Sequence, residues 1–179
     1  MPDQVAVTDR QKLKDYQHRI IVAGTRKWSN YKLFSACMDE YLLSLPLNEK
    51  SKAPPFIFIT GDAKTGADAL IIRYCKEFKK PWIAFTPNWN DIEAPNAVIK
   101  TRVNTFTGEV TKYNANAGFQ RNNEMAEYGS RLVAFWDGKS PGTKHMAEAA
   151  KRRKISAMIY LINKDEEVGE EPATPKKGK

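Results

Sequence analysis

The sequence predicts an α/β fold built on a mainly parallel, five-stranded sheet with helices on both faces and a hairpin-like insertion. Three observations carry this reading. Five short apolar runs of strand type recur along the chain, four stretches of helical apolar spacing lie among them, and the alternation breaks once, at about residues 96–115. Strands that alternate with helices pair in parallel, and the right-handed crossover distributes the helices over both faces.

The elements follow in order. Residues 1–17 are polar and read as a leader or a frayed helix, and the domain proper spans 18–162. Arg19 to Ala23 is the first strand, stopped at Gly24. Tyr31 to Ser44 places Leu33, Phe34, Cys37, Met38, Tyr41 and Leu42 on one helical stripe; Pro46 ends it and a polar loop runs to Pro55. Phe56 to Thr60 is the second strand, Ala67 to Lys79 the second helix, and Trp82 to Phe85 the third strand, closed by Pro87. Two β-type runs around a turn containing Gly108 then form the insertion, a predicted hairpin. Gly118 to Tyr128 resumes as a helix, Arg131 to Trp136 is the fourth strand, Pro141 to Arg153 the fourth helix and Ile155 to Ile162 the last strand. The tail, 163–179, is charged and contains proline and glycine, the composition of a disordered segment.

A chain of 179 residues is long enough for one core and too short for two ordinary domains. Its formal net charge of +8 permits attraction to nucleic acid, nucleotides or other anions without choosing among them. Cys37 and Cys75 lack any CxxC spacing and read as reduced thiols. His18 and His145 are the only histidines, too few for a histidine-built metal site, so neither metal nor cofactor is expected. The start lacks the order of a signal peptide and no apolar run has the length of a membrane span, so a cytoplasmic protein without membrane contact is expected.

In open α/β sheets, ligands bind beyond the carboxyl ends of the strands, so the turns there are read as a set. The first carries Gly24, Thr25, Arg26 and Trp28; the second Gly61, Asp62, Lys64, Thr65, Gly66 and Asp68; the third Trp89. The fourth turn carries Trp136, Asp137, Gly138, Ser140, Gly142, Thr143 and Lys144, and Arg121 and Asn122 open the third helix at the same sheet end. Glycines allow close backbone approach to phosphate, cations neutralise it, and an aromatic face can cover a base. In the fourth turn Ser140 suits an N-cap and Pro141 the first helical position, which fits either an anion site or an ordinary capped helix. Gly61 and Gly66 have the spacing of a phosphate loop, but Ala67 and Asp68 stand where that motif needs Lys and Ser or Thr.

The ordered motifs Gly24-Thr25-Arg26, Gly61-Asp62-Ala63-Lys64-Thr65-Gly66-Ala67-Asp68, Pro87-Asn88-Trp89, Gly118 to Met125 and Ala134 to Lys144 resemble the YspA-like, cpYpsA-related branch of the SLOG superfamily over about residues 19–162. The resemblance implies a modified Rossmann-like fold, a nucleotide or nucleotide-derived ligand, and a homo-oligomer whose interface the sequence does not mark. The superfamily includes the LOG phosphoribohydrolases and the DNA-processing protein DprA. Asp62 departs from the branch, which usually has a second glycine there, and the 96–115 excursion is longer than in compact members. Against the LOG motifs, Arg121 is retained but Met146 occupies the place of the catalytic glutamate. A thioether cannot assist N-glycoside cleavage, and Glu148, Asp62, Asp68, Asp137 and Glu124 are the carboxylates that would have to replace it.

Three functions follow as expectations. The first is a sensor or sequestering module that binds a nucleotide derivative at the strand ends. The second is an N-glycoside hydrolase acting on a nucleoside monophosphate or NAD-related ligand at that site. The third is a single-stranded nucleic-acid binder, supported by the net charge and by Lys100, Arg102 and Lys112 in the insertion.

Overall fold

The computed structural model describes residues 6–163 and 176–177. Eight strands and four α-helices occur in the order β1 (His18–Gly24), α1 (Tyr31–Leu43), β2 (Phe56–Thr60), α2 (Gly66–Glu77), β3 (Trp82–Ala84), β4 (Ile99–Val103), β5 (Val110–Asn114), α3 (Ala117–Tyr128), β6 (Arg131–Trp136), α4 (Pro141–Arg152), β7 (Ser156–Leu161) and β8 (Lys176–Lys177). The main sheet has the order β3-β2-β1-β6-β7-β8, parallel except for the two-residue β8, which runs antiparallel to β7. The five predicted parallel strands are thus all present. The rest of the tail, like residues 1–5, lies outside the described residues.

Period-two alternation in the strands sorts the core into two layers. Ile20, Val22, Phe58, Val133 and Phe135 pack against α1 and α2, whereas Ile21, Ala23, Ile57, Ile59, Leu132 and Ala134 pack against α3 and α4. Both faces are therefore covered.

The segment before β1 is more integrated than a polar leader implies. Ala6 bridges Trp82 in parallel, and Arg10–Asp15 form a 3₁₀ turn that buries Leu13 against the second layer. Arg10 also lies over the Phe85 ring at 4.1 Å and pairs with Glu124 at 3.2 Å.

The insertion is the predicted hairpin, with β4 and β5 forming a separate two-stranded sheet. Its root is fixed by Asn114, which is wholly buried. That side chain accepts from Val98 and Asn116 N–H at 3.2 and 3.0 Å and donates to Gln120 Oε1 at 2.9 Å. Among the described residues, no helix is long and apolar enough to cross a membrane.

Candidate functional site

The strand order reverses direction between β1 and β6, and the crevice at such a switch point is where an open α/β sheet binds ligands. A cleft of about 420 Å³ opens there. Of the residues singled out in the sequence, Gly24, Thr25, Arg26, Thr65, Asp68, Trp89, Arg121, Asn122, Ser140, Gly142 and Thr143 line it. All four turns contribute to one wall or another.

Close backbone contacts draw the turns together. A side chain at Gly24 would lie 2.5 Å from Phe135 O and 2.8 Å from Ala67 Cβ, so only glycine lets β1 end against β6 and α2. Gly66 has φ +70° and a side chain there would overlap Thr25 O, which seats the start of α2 on the first turn. Thr25 is the joint on the other side too. Its Oγ1 accepts from Asp137 N–H at 3.2 Å and lies 3.1 Å from the Ser140 hydroxyl.

That last contact changes the role expected of Ser140. It occupies the N-cap position of α4 with Pro141 next, yet its side chain makes no cap bond because the hydroxyl is turned to Thr25. Thr65 before α2 and Asn116 before α3 likewise make no side-chain cap. By contrast, Asn30 caps α1 by accepting from Leu33 N–H at 3.0 Å. The three helices that border the cleft therefore begin without side-chain caps, leaving first-turn N–H donors and the positive dipole ends available to an anion.

Charges complete the site. Arg121 is fixed by donating through Nε to Asn122 Oδ1 at 3.1 Å and through Nη1 to Gly61 O. Burial lowers its pKa, opposed by the carboxylate of Asp68. Arg26 is exposed and makes no hydrogen bond or ion pair among the described residues. Asp68 is 9% exposed, and its Oδ2 accepts from Ala63 N–H at 3.0 Å. Burial raises its pKa, while the Ala63 bond, Arg121 and Arg26 pull it down. Among the five candidate carboxylates, Asp68 is the one that lines the cleft: Glu124 pairs with Arg10, Glu148 with Lys144 at 3.9 Å, and Asp62 with Lys64 at 3.3 Å, while Asp137 Oδ1 holds its own turn. Met146 is buried in the cleft wall.

The other predicted residues lie outside the lining. Trp28 is a core residue, 1% exposed and stacked on Phe135 at 5.2 Å between ring centroids, because its indole points to the α1 and α2 layer. Trp136 and Asp137 shape their loop: the indole donates to Ser140 O at 3.1 Å, and Asp137 Oδ1 accepts from Lys139 and Ser140 N–H at 3.0 and 2.7 Å. Gly138, with φ +77°, lets that loop turn. Gly61 and Gly66 serve as backbone joints, and Lys64 and Lys144 are exposed cations engaged with Asp62 and Glu148. Asp62 itself has φ 60°, the left-handed conformation that glycine would supply, and its Oδ2 accepts from Thr86 Oγ1 at 3.1 Å. The loop thus keeps a glycine-like path despite the substitution.

Sequence reasoning missed one aromatic wall. Phe119 lines the cleft in the first turn of α3 and stacks on His145 at 4.2 Å with rings 9° from parallel. His145 Nδ1 lies 3.3 Å from Asn122 Nδ2, which also donates to Gly142 O at 3.2 Å, so α3 braces the start of α4. Helical spacing could have found part of this, since Gly118, Arg121, Asn122 and Met125 share one face and all line the cleft. Among the described residues no group of three or more His, Cys, Asp or Glu could hold a metal ion.

No family model matches the chain, and no curated protein matches it significantly. Two solved structures do. DNA processing protein A (DprA) from Streptococcus pneumoniae superposes with a TM-score of 0.55 at 15% identity, covering 85% of this chain and 52% of that one. DNA processing protein A from Helicobacter pylori, a structure described for its single-stranded DNA binding mode, gives a TM-score of 0.54 at 15% identity and covers 88% and 71%. This chain spans about half the length of the S. pneumoniae protein. Identity this low speaks for the fold alone, and that fold is a Rossmann-like α/β architecture shared with DprA.

Proposed function

We propose that the cleft binds a nucleotide or nucleotide-derived ligand, and that the chain is a sensor or sequestering module of the YspA-like SLOG branch. The observation that carries this reading is the convergence of three uncapped helix N-termini with Arg26 and Arg121 on one cleft. Phosphate is stabilised by Gly142 and Thr143 N–H and by the two guanidinium groups, with Lys64 and Lys144 adding charge at the rim. Trp89 and Phe119 offer flat faces to a base. The absence of a glutamate at Met146 favours binding over cleavage.

The test is titration of the purified protein with adenine and guanine mono-, di- and triphosphates and NAD, with chromatography for released base. Binding without release is expected. Release of base that disappears in Arg121→Ala would replace the sensor by an N-glycoside hydrolase.

A second reading, single-stranded nucleic-acid binding, is favoured by the hairpin that ends just before Ala115 in the cleft lining. Lys100, Arg102 and Lys112 are exposed there, Phe106 is 99% exposed, and Arg102 lies over the Tyr113 ring at 5.1 Å. Retention of an oligonucleotide, lost steeply with salt, together with no binding of free nucleotides, would put this reading first.

A further inference from the structure

We infer that Asp68 accepts the vicinal hydroxyls of a ribose, so that the cleft selects ribonucleotides over their 2′-deoxy counterparts. This rests on the nucleotide reading and deepens it. Asp68 sits in the first turn of α2, more than nine-tenths buried, yet it lines the cleft. Its Oδ2 is held by Ala63 N–H, and no hydrogen bond reaches Oδ1 among the described residues. That oxygen belongs to a side chain that lines the cleft and is free to accept from a ligand donor.

The choice of donor follows from the surroundings. Phosphate is excluded at Asp68 by like charge and is drawn to the start of α4 and to Arg26. The start of α2, with Asp68, and the start of α4 are neighbours, because α2 begins against Thr25 O and the Ser140 hydroxyl before α4 lies 3.1 Å from Thr25 Oγ1. A ribose 5′-phosphate has the matching order, an anion at one end and a pair of neutral hydroxyl donors a few ångströms away. A carboxylate can accept from both hydroxyls, and charge-assisted bonds of this kind are about twice as strong as neutral ones. Arg121 and Arg26 lower the charge cost of Asp68 without filling the site, since among the described residues neither forms a hydrogen bond or close ion pair with it.

The experiment compares AMP with 2′-deoxy-AMP, and ribose 5-phosphate with 2-deoxyribose 5-phosphate, by calorimetric titration of the wild-type protein and of Asp68→Asn. Wild type is expected to bind each ribo compound at least about tenfold more tightly than its deoxy partner, the effect of about 1.4 kcal/mol. Asp68→Asn should reduce that preference to about threefold or less while the deoxy compounds keep their affinity. Equal binding of ribo and deoxy compounds by wild type would overturn the inference and leave the nucleotide reading standing. An Asp68→Asn protein that weakens both series equally would also overturn it, by assigning Asp68 to a base or an amine. No binding of any of the four compounds would sink both readings. Should Asp68→Asn fail to fold, the wild-type comparison alone decides.

Discussion

Asn114, which solvent does not reach, marks the border between two regions built in opposite ways. On its inner side, the cleft is assembled from groups whose own partners are elsewhere: Ser140 bonds Thr25 instead of capping α4, and Asp68 is buried beside two arginines. On its outer side, Val98, Ile99, Val103, Phe106 and Val110 are all exposed, and the hairpin pairs only with itself. The turns of the cleft are joined to one another across long sequence separations. The hairpin depends on its root alone. A ligand pocket needs donors held in place before the ligand arrives, whereas an exposed ribbon can only offer surface.

The contrast can be broken most severely at Gly66. Gly66→Val forces a β-branched side chain into positive φ and onto Thr25 O, and should cost about 3 kcal/mol or more. Thermal denaturation should show a midpoint lower by roughly 6–12 °C. Next is Arg121→Ala, expected to weaken nucleotide binding by about 10- to 100-fold, as titration would show, since charged hydrogen bonds contribute about 1.5–3 kcal/mol. Unchanged affinity would remove Arg121 from the site.

Asn114→Ala tests the border itself. It leaves the N–H groups of Val98 and Asn116 without their acceptor, at about 1–3 kcal/mol. Hydrogen exchange should quicken in β4 and β5 far more than in β1 or β6; a uniform change would mean that hairpin and core unfold together.

A smaller effect is expected from acid. Burial, and then Arg152, lower the pKa of His145, and Asn122 Nδ2 donates to its Nδ1, so protonation there is opposed. A histidine with a depressed folded pKa contributes stability that is present above its unfolded value of about 6.5 and is lost as pH falls through the folded value. Melting curves between pH 7.5 and 5 should show wild type losing more than His145→Phe, which keeps the stack on Phe119. The smallest change concerns the hairpin surface: replacing Lys100, Arg102 and Lys112 together by alanine should shift stability by less than about 0.5 kcal/mol and leave nucleotide affinity unaltered. Loss of oligonucleotide retention in that variant would assign the ribbon to nucleic acid.

Much of this was legible in order and little of it in direction. The five parallel strands, the four helices and the hairpin follow from apolar spacing and from Gly24, Gly61, Pro87 and Gly108 as breaks. The 3₁₀ turn before β1 was not legible, because Leu13 is its one buried residue and a single apolar residue sets no period. At the site, nine residues read from the turns and Arg121 and Asn122 from the third helix line the cleft, whereas Trp28 does not and Phe119, which was not singled out, does. Trp28 follows Gly24-Thr25-Arg26 and was read with them as a candidate ligand contact; it fills the core beside Phe34 and Phe135. Phe119 lies within the predicted third helix without being singled out, and it stands in the cleft wall.

By itself, the sequence determined the parallel sheet, the end of it at which the glycines and cations gather, and that position 146 is a methionine and not a carboxylate. These are local: hydrophobic period and backbone breaks are written in consecutive residues, and the topological rule then sends every turn to one side. Only the tertiary structure decided which atoms face the cleft. Ser140 turns to a threonine 115 positions away, Arg121 to a carbonyl 60 positions away, and Asp68 becomes buried where two distant arginines meet it. A side chain in a turn has no period to declare its direction, so its direction is set by the partner that folding brings to it.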